Sequence, residues 1–161
     1  MNIRYLFFDW GDTIMRDFAY PGPMSLWPEL EWIAGAEDFL VKACKRYTCI
    51  IATSASHSDV PEMKKALARV GADKYFHHFY SRFELGYSKP DPLFFVQAMH
   101  LTKAKPSESM MIGNLYDKDI VGAKNAGMTT VLFNEHEVGG TYLLADYVIA
   151  KYSELDKIVN L

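Results

Sequence analysis

Short apolar runs alternate with segments of helical periodicity along this chain, and that alternation restricts its fold more than any other feature. The apolar runs are rich in β-branched and aromatic residues, which is typical of strands buried on both faces. Strands that alternate with helices favour an α/β fold in which helices cover both faces of a mainly parallel sheet. The predicted strands are 3–8, 48–52, 110–112, 130–133 and 147–150, and the predicted helices are 36–46, 58–70, 91–103 and 117–126.

The composition fits one globular domain over residues 1–161, because half of the residues are hydrophobic and the mean hydropathy is -0.08. A net charge of -3 gives no general attraction to nucleic acid or to anionic lipid. No apolar stretch approaches the roughly 20 residues of a membrane span, and Asp9 interrupts the first apolar run too early for a secretion signal. We therefore expect a cytoplasmic protein without nucleic-acid or membrane partners.

Polar residues stand directly after three of the predicted strands. Asp9 follows the first strand, residues 53–54 follow the second, and residues 113–114 follow the third. The carboxyl ends of parallel strands meet at one edge of the sheet, where open α/β sheets bind their ligands. Lys89 precedes a helix whose start is fixed by two prolines. A carboxylate, hydroxyl groups and a lysine are the parts needed to attack and hold a phosphoryl group.

Four motifs along the chain resemble those of the haloacid dehalogenase-like hydrolase superfamily. They are DWGDT at 9–13, ATSAS at 52–56, GYSKPDP at 86–92 and IGNLYDKDIVGAKNAG at 112–127. Their order and spacing match the family, and the resemblance covers the chain from Ile3 to Phe133. It implies a three-layer Rossmann-like fold, a covalent aspartyl-phosphate intermediate and Mg²⁺ as the cofactor.

The resemblance assigns roles to residues around the transferred phosphate. Asp9 resembles the nucleophile, and Thr53 resembles the hydroxyl that binds the phosphate, with Ser54 beside it. Lys89 resembles the residue that steadies both the phosphate and the nucleophile. For Thr53 and Ser54, hydrogen bonding to the backbone at the strand end is the alternative role.

The same resemblance predicts a metal site made by Asp9, the Gly11 carbonyl, residue 114 and Asp119. The family commonly has an aspartate at the position of Asn114. An amide oxygen can coordinate a hard cation but brings no charge, so we expect weaker binding of Mg²⁺. Asp117 is close enough in sequence to help directly or through water, or else to cap the following helix.

A second departure from the family concerns the general acid/base, which usually stands two residues after the nucleophile. Here that position is Gly11, and the nearby carboxylate is Asp12. A positioned acid or base typically contributes about 10²–10⁴-fold to the rate, so its loss would slow the hydrolysis of esters with poor leaving groups. Two roles stay open for Asp12: proton donor beside a flexible glycine, or acceptor of backbone amides in the turn.

The spacing of the motifs leaves no room for a cap domain of the kind that covers the site in many relatives. The interval from Asp9 to Thr53 holds a helix and a strand, and that from Thr53 to Lys89 holds a helix and a short strand. The segment 16–34 is rich in aromatic residues and either folds over the site, packs on a partner or packs on the domain's own helices. By analogy, relatives without a cap act on large substrates or use a neighbouring subunit as a lid, so a homo-oligomer is one expected arrangement.

Three functions are compatible with these motifs. The leading hypothesis is a Mg²⁺-dependent phosphatase whose substrate is a phosphorylated small molecule or a phosphate carried on a macromolecule. The alternative, motivated by Gly11 and Asn114, is a weak or inactive domain that keeps a phosphate-binding pocket. Metal-free carbon–halogen hydrolysis by the same nucleophile is disfavoured, because no cap encloses a small haloacid.

Overall fold

The structure, a computed structural model, describes residues 2–161. Six parallel strands form one sheet in the order β3-β2-β1-β4-β5-β6. The strands are β1 (Tyr5–Phe8), β2 (Thr48–Thr53), β3 (His78–Ser81), β4 (Ser109–Gly113), β5 (Thr129–Phe133) and β6 (Tyr147–Ile149). The helices are α1 (Ala36–Ala43), α2 (Val60–Arg69), α3 (Arg82–Leu85), α4 (Pro92–Thr102), α5 (Val121–Asn125) and α6 (Tyr152–Val159).

Helices cover both faces of the sheet, as the sequence predicts. Successive side chains of a strand point to opposite faces, so Phe8 of β1 packs with residues of α1, α2 and α6, whereas Phe7 packs with residues of α4 and α5. Both phenylalanines are buried. The central strand β1 is therefore apolar on both faces, and packing on both sides holds its carboxyl end in one position. Within residues 2–161, none of the helices is long and apolar enough to cross a bilayer.

The segment between β1 and β2 contains a 3-10 turn at Met24–Leu26 and α1, which is consistent with the expected lack of an inserted cap. Its aromatic part packs on α2, where the Arg69 guanidinium donates to the carbonyls of Ser25 (3.0 Å) and Trp27 (2.7 Å). Tyr20 and Trp27 also line a cavity at the carboxyl edge of the sheet. The segment therefore packs on the chain's own helices, which is one of the predicted alternatives, and two of its aromatic residues border the cavity.

The structure differs from the prediction at 117–126, where the sequence predicts one continuous helix. Tyr116–Ile120 form a single π-helical turn, and α5 begins only at Val121. The Asp119 amide donates to the Leu115 carbonyl (2.7 Å), while the Asp119 carboxylate accepts the Leu115 amide (3.0 Å). These two hydrogen bonds orient the Asp119 side chain toward the sheet edge. Single π-helical turns of this kind are frequent at functional sites.

Candidate active site

The carboxyl ends of β1, β2 and β4 lie side by side and converge on one cavity. Phe8 pairs with Ile51 of β2 and with Ile112 of β4, so the residues that follow on each strand stand at the same level. The cavity at this edge has a volume of about 480 Å³. Every residue predicted for the site lines it: Asp9, Gly11, Asp12, Thr53, Ser54, Lys89, Asn114 and Asp119.

Lys89 is the centre of a buried ion network. Its Nζ lies 2.6 Å from Asp9 Oδ1 and 2.7 Å from Asp119 Oδ1, and it also donates to the Ala52 carbonyl at 3.2 Å. Only 6% of Lys89, 8% of Asp9 and 1% of Asp119 is exposed. One cation therefore pairs with two carboxylates from segments that are far apart in the sequence.

The burial and the charges of this network shift the pKa values of its members. Burial alone would lower the pKa of Lys89, but the charges of Asp119 and Asp9 outweigh it and raise that pKa above its usual value. The pKa of Asp119 is also raised, first by burial and then by the negative charge of Asp9. The lysine is thus held as a cation between the two acids.

Gly113 makes the close approach of Asp119 to the strand end possible. A Cβ atom at position 113 would lie 2.4 Å from Asp119 Cγ, a distance at which one of the two residues would have to move. The glycine at the end of β4 is therefore required by the packing of the acid and not by a turn.

Three oxygen-bearing groups meet on the other side of the nucleophile. With its amide nitrogen turned toward Asp9, Asn114 donates to Asp9 Oδ2 (3.1 Å) and to the Gly11 carbonyl (3.3 Å). Rotating the amide would present its oxygen beside those two, and carboxylate, carbonyl and amide oxygens are the ligands that Mg²⁺ accepts. Within residues 2–161, no three His, Cys, Asp or Glu side chains converge as a metal cluster, so a cation here depends on this mixed set of donors. Asp117 is exposed and does not line the cavity.

The two hydroxyl residues at the end of β2 have different partners. Thr53 is buried, and its Oγ1 accepts the Ala55 amide at 3.1 Å. Within residues 2–161 its hydroxyl has no acceptor, so its hydrogen can be donated into the cavity, which Thr53 lines. Ser54 Oγ accepts the Lys89 backbone amide at 2.9 Å. Ser54 therefore fixes the segment that carries the lysine, in addition to its place in the cavity wall.

Asp12 has the contacts of a turn residue. Its backbone has a positive φ of 52°, which Asp tolerates better than most residues. Its Oδ1 accepts the Asp17 amide at 3.0 Å and the Arg16 guanidinium at 3.3 Å. Glu135 holds the same guanidinium through two bonds of 2.8 Å. The role of amide acceptor, one of the two predicted for Asp12, thus has a geometric basis.

Two charged and exposed residues that line the cavity, Asp17 and Lys118, were not assigned to the site from the sequence. Met24 and Trp27, which belong to the segment 16–34, form an apolar part of the wall. Lys118 stands one position before Asp119, so its proximity could have been inferred from the motif. Asp17 reaches the cavity only through the shape of the turn that follows the nucleophile, which no local pattern indicates.

Comparison with known proteins places this geometry in a family. The family model described as "Haloacid dehalogenase-like hydrolase" matches residues 23–133, the part of the chain that carries Thr53, Lys89 and Asp119. The chain belongs to the haloacid dehalogenase-like hydrolase family. The resemblance expected from the four motifs is therefore confirmed.

Relatives of this haloacid dehalogenase-like chain include proteins named as phosphatases. A glyceraldehyde 3-phosphate phosphatase from Pyrococcus furiosus is 34% identical over 137 residues, which are 81% of this chain and 55% of that protein. The pyrophosphatase PpaX of Bacillus mycoides is 34% identical over 151 residues, which are 92% of this chain and 67% of that protein. The chain thus spans about half to two thirds of the length of these relatives.

A solved structure supports the fold. The putative HAD-hydrolase YfnB from Bacillus subtilis, bound to magnesium, superposes with a TM-score of 0.84 at 17% identity, over 100% of both chains. At this identity the likeness concerns the fold alone. It confirms the predicted Rossmann-like parallel sheet flanked by helices.

Proposed function

We propose that this chain is a Mg²⁺-dependent phosphatase that forms an aspartyl-phosphate on Asp9 and acts on a small phosphate ester. The observation that carries the proposal is the environment of Asp9 at the carboxyl end of the central strand. One of its oxygens lies 2.6 Å from the Lys89 ammonium, and the other lies 3.1 Å from the Asn114 amide, which also reaches the Gly11 carbonyl. A carboxylate held this way has one oxygen for a metal ion and one for attack on phosphorus.

The residues around Asp9 support an attack by its Oδ1 atom. Oδ2 points to the oxygen donors expected to bind the cation, so Oδ1, beside Lys89, is the oxygen left to approach the substrate. The Lys89 charge offsets the negative charge that gathers on the phosphoryl oxygens as the bond forms. Thr53 donates its free hydroxyl hydrogen to one of those oxygens.

The set of donors fits Mg²⁺, which would be held by Asp9, the Gly11 carbonyl, Asn114 and Asp119. When bound, the cation supplies positive charge that lowers the repulsion between the nucleophile and the phosphate dianion. The structure of the Bacillus subtilis relative contains magnesium, which favours this choice of metal. The neutral Asn114 makes the site less charged than one with an aspartate there.

The size and lining of the cavity favour a small phosphate ester or anhydride. A volume of about 480 Å³ lies within the range of small-molecule sites, roughly 300–1,000 Å³. Tyr20, Met24 and Trp27 form a partly apolar wall opposite the polar residues at the end of β2. The names of the two curated relatives, a glyceraldehyde 3-phosphate phosphatase and a pyrophosphatase, suit the same class of substrate.

Turnover of activated phosphates tests this function. We expect hydrolysis of p-nitrophenyl phosphate and acetyl phosphate with Mg²⁺, loss of hydrolysis with EDTA, and loss of both hydrolysis and acid-stable labelling by ³²P-phosphate in Asp9→Asn. Asp38→Asn is the matched control, because Asp38 is an exposed aspartate that does not line the cavity. Turnover that survives in Asp9→Asn would refute the nucleophilic role.

A second function is favoured by the glycine at position 11 and the amide at position 114. In that case the chain is a weak or inactive domain that binds phosphate through Lys89 and Thr53. It predicts saturable binding of inorganic phosphate, lost in Lys89→Met, without turnover of either activated substrate. The same two assays therefore separate the two functions.

A further inference from the structure

The space beside Gly11 is filled by a carboxylate from another residue. A Cβ atom built on Gly11 would lie 3.4 Å from Asp17 Cβ, 3.8 Å from Asp17 Cγ and 3.5 Å from Asp17 Oδ2. A side chain at position 11 would thus be in contact with the Asp17 carboxylate. Asp17 lines the same cavity as Asp9 and Lys89.

The turn after the nucleophile brings Asp17 to this place. The Trp10 carbonyl accepts the amides of Thr13 (3.3 Å), Ile14 (2.8 Å) and Met15 (3.1 Å), which folds the chain back on itself. Gly11 and Met15 form an isolated bridge across the turn. Two residues beyond that bridge, the chain passes Gly11 again with the side chain of residue 17 toward it.

Asp12 fixes the backbone of this turn and does not compete for the same position. Its Oδ1 accepts the Asp17 amide at 3.0 Å, and Arg16, which is held by Glu135, contacts the same oxygen at 3.3 Å. The Asp12 carboxylate is therefore engaged in holding the segment that carries Asp17. This assigns Asp12 a positioning role.

The Asp17 side chain has one oxygen fixed and one available. Its Oδ1 accepts the Ala19 amide at 2.8 Å, which sets the orientation of the carboxylate. No hydrogen bond from any residue in 2–161 reaches Oδ2, the oxygen beside Gly11. A carboxylate that is oriented at one oxygen and open at the other, in the cavity of a nucleophile, has the form of a general acid/base.

We propose that Asp17 is the general acid and base of this phosphatase, supplied from the loop in place of a carboxylate at position 11; this rests on the proposed function. In the first half-reaction Asp9 Oδ1 bonds to phosphorus, the bond from phosphorus to the ester oxygen breaks, and that oxygen takes the proton of the Asp17 carboxylic acid. The alcohol leaves and Asp17 is a carboxylate. In the second, Asp17 accepts a proton from water as the water oxygen bonds to phosphorus and the bond to Asp9 breaks. Phosphate leaves, and both aspartates return to their first states.

The dependence of kcat/KM on the leaving group tests this assignment, because it reports proton donation and not folding. A series of phosphate monoesters from p-nitrophenyl to alkyl is measured with Mg²⁺ for the wild-type chain, Asp17→Asn, Asp12→Asn and the control Asp38→Asn. For Asp17→Asn we expect kcat/KM to fall by about 10²–10⁴-fold with alkyl phosphates and by much less with p-nitrophenyl phosphate. The dependence of kcat/KM on the leaving group therefore becomes steep in Asp17→Asn and stays shallow in the control Asp38→Asn. It also stays shallow in Asp12→Asn, because an asparagine oxygen can still accept the Asp17 amide.

A rescue variant adds a second readout. Gly11→Asp in the Asp17→Ala background places a carboxylate at the border of the same space, and we expect it to restore the shallow dependence. If kcat/KM of the double variant depends on the leaving group as steeply as that of Asp17→Ala, the claim that the two positions share one function is overturned. A shallow dependence in Asp17→Asn overturns the assignment, and a steep one in Asp12→Asn alone gives the role to Asp12. Absence of Mg²⁺-dependent turnover in the wild-type chain overturns the proposed function together with this role.

Discussion

Asn114→Asp is expected to lower the stability of the chain without Mg²⁺ and to increase the stability that the chain gains when Mg²⁺ binds. With its amide nitrogen turned toward Asp9, Asn114 donates to Asp9 Oδ2 at 3.1 Å and to the Gly11 carbonyl at 3.3 Å, and a bound cation would contact the same two oxygens. An aspartate at this position replaces a hydrogen bond with a negative charge beside the buried Asp9. The amide thus stabilises the metal-free site and weakens the metal-bound one.

The size of the effect follows from the distance. Two like charges about 4 Å apart repel by about 4 kcal/mol at an effective dielectric constant of 20. Lys89 neutralises part of this charge, so we expect the metal-free unfolding free energy to fall by about 2–4 kcal/mol. The added charge is neutralised when the cation binds, so the dissociation constant for Mg²⁺ should fall by roughly 10²-fold, which corresponds to about 2.7 kcal/mol.

Urea unfolding at pH 8, in EDTA and in saturating MgCl₂, measures the first effect, and calorimetric titration with Mg²⁺ measures the second. Asn2→Asp is the control, because Asn2 is exposed and does not line the cavity. We expect Asn114→Asp to be less stable than the wild type in EDTA and to gain more from MgCl₂. Equal stability in EDTA, together with an unchanged affinity for Mg²⁺, would refute the contact between the amide and the nucleophile.

Three further predictions concern the packing and charge of the chain. Lys89→Met leaves two buried carboxylates without their cation, so the unfolding free energy should fall by about 3–5 kcal/mol; an unchanged urea midpoint contradicts the buried network. Gly113→Ala places a Cβ atom 2.4 Å from Asp119 Cγ, so denaturation should show a loss of about 1–3 kcal/mol, and turnover should fall as Asp119 is displaced; wild-type stability and rate would contradict this. Burial raises the pKa of Asp146, but hydrogen bonds from Lys124 and a backbone amide outweigh it and hold that pKa below its usual 3.8. The stability that this carboxylate contributes is present above pH 3.8 and is lost as the pH falls through the lower folded-state pKa. The difference in melting temperature between the wild type and Asp146→Asn should therefore be constant at neutral pH and decrease toward zero in acid. A difference that persists in acid refutes this prediction.

The sheet and most of the site were predictable from the sequence because their signals are local. The apolar runs correspond to five of the six strands, with ends that differ by a few residues, and the polar residues after β1, β2 and β4 meet at one edge. Two helices, α3 and α6, were not predicted. α3 has only four residues and begins at a cap made by the Ser81 side chain. The order of the strands was not predicted either, since it depends on contacts between distant segments.

The replacement for the missing acid could not be read from local patterns. Gly11 marks a space without a side chain, but whether Asp12 or another carboxylate enters that space depends on the path of the whole turn. The positive φ of Asp12 and the three amides that converge on the Trp10 carbonyl decide that path. Neighbouring residues in a sequence can point away from each other, and Asp17 approaches Gly11 across the turn.

The contacts of Lys89 also have a consequence for how the chain opens. Its ammonium touches Asp9 after β1, the Ala52 carbonyl in β2 and Asp119 after β4. Release of the segment that carries Lys89 would leave two buried carboxylates without their cation, and this cost is avoided only if the strand ends that carry those carboxylates open as well. We therefore expect the amide protons at these three strand ends to exchange with solvent at one common, near-global free energy, so that catalytic competence appears only when the last of these segments has docked.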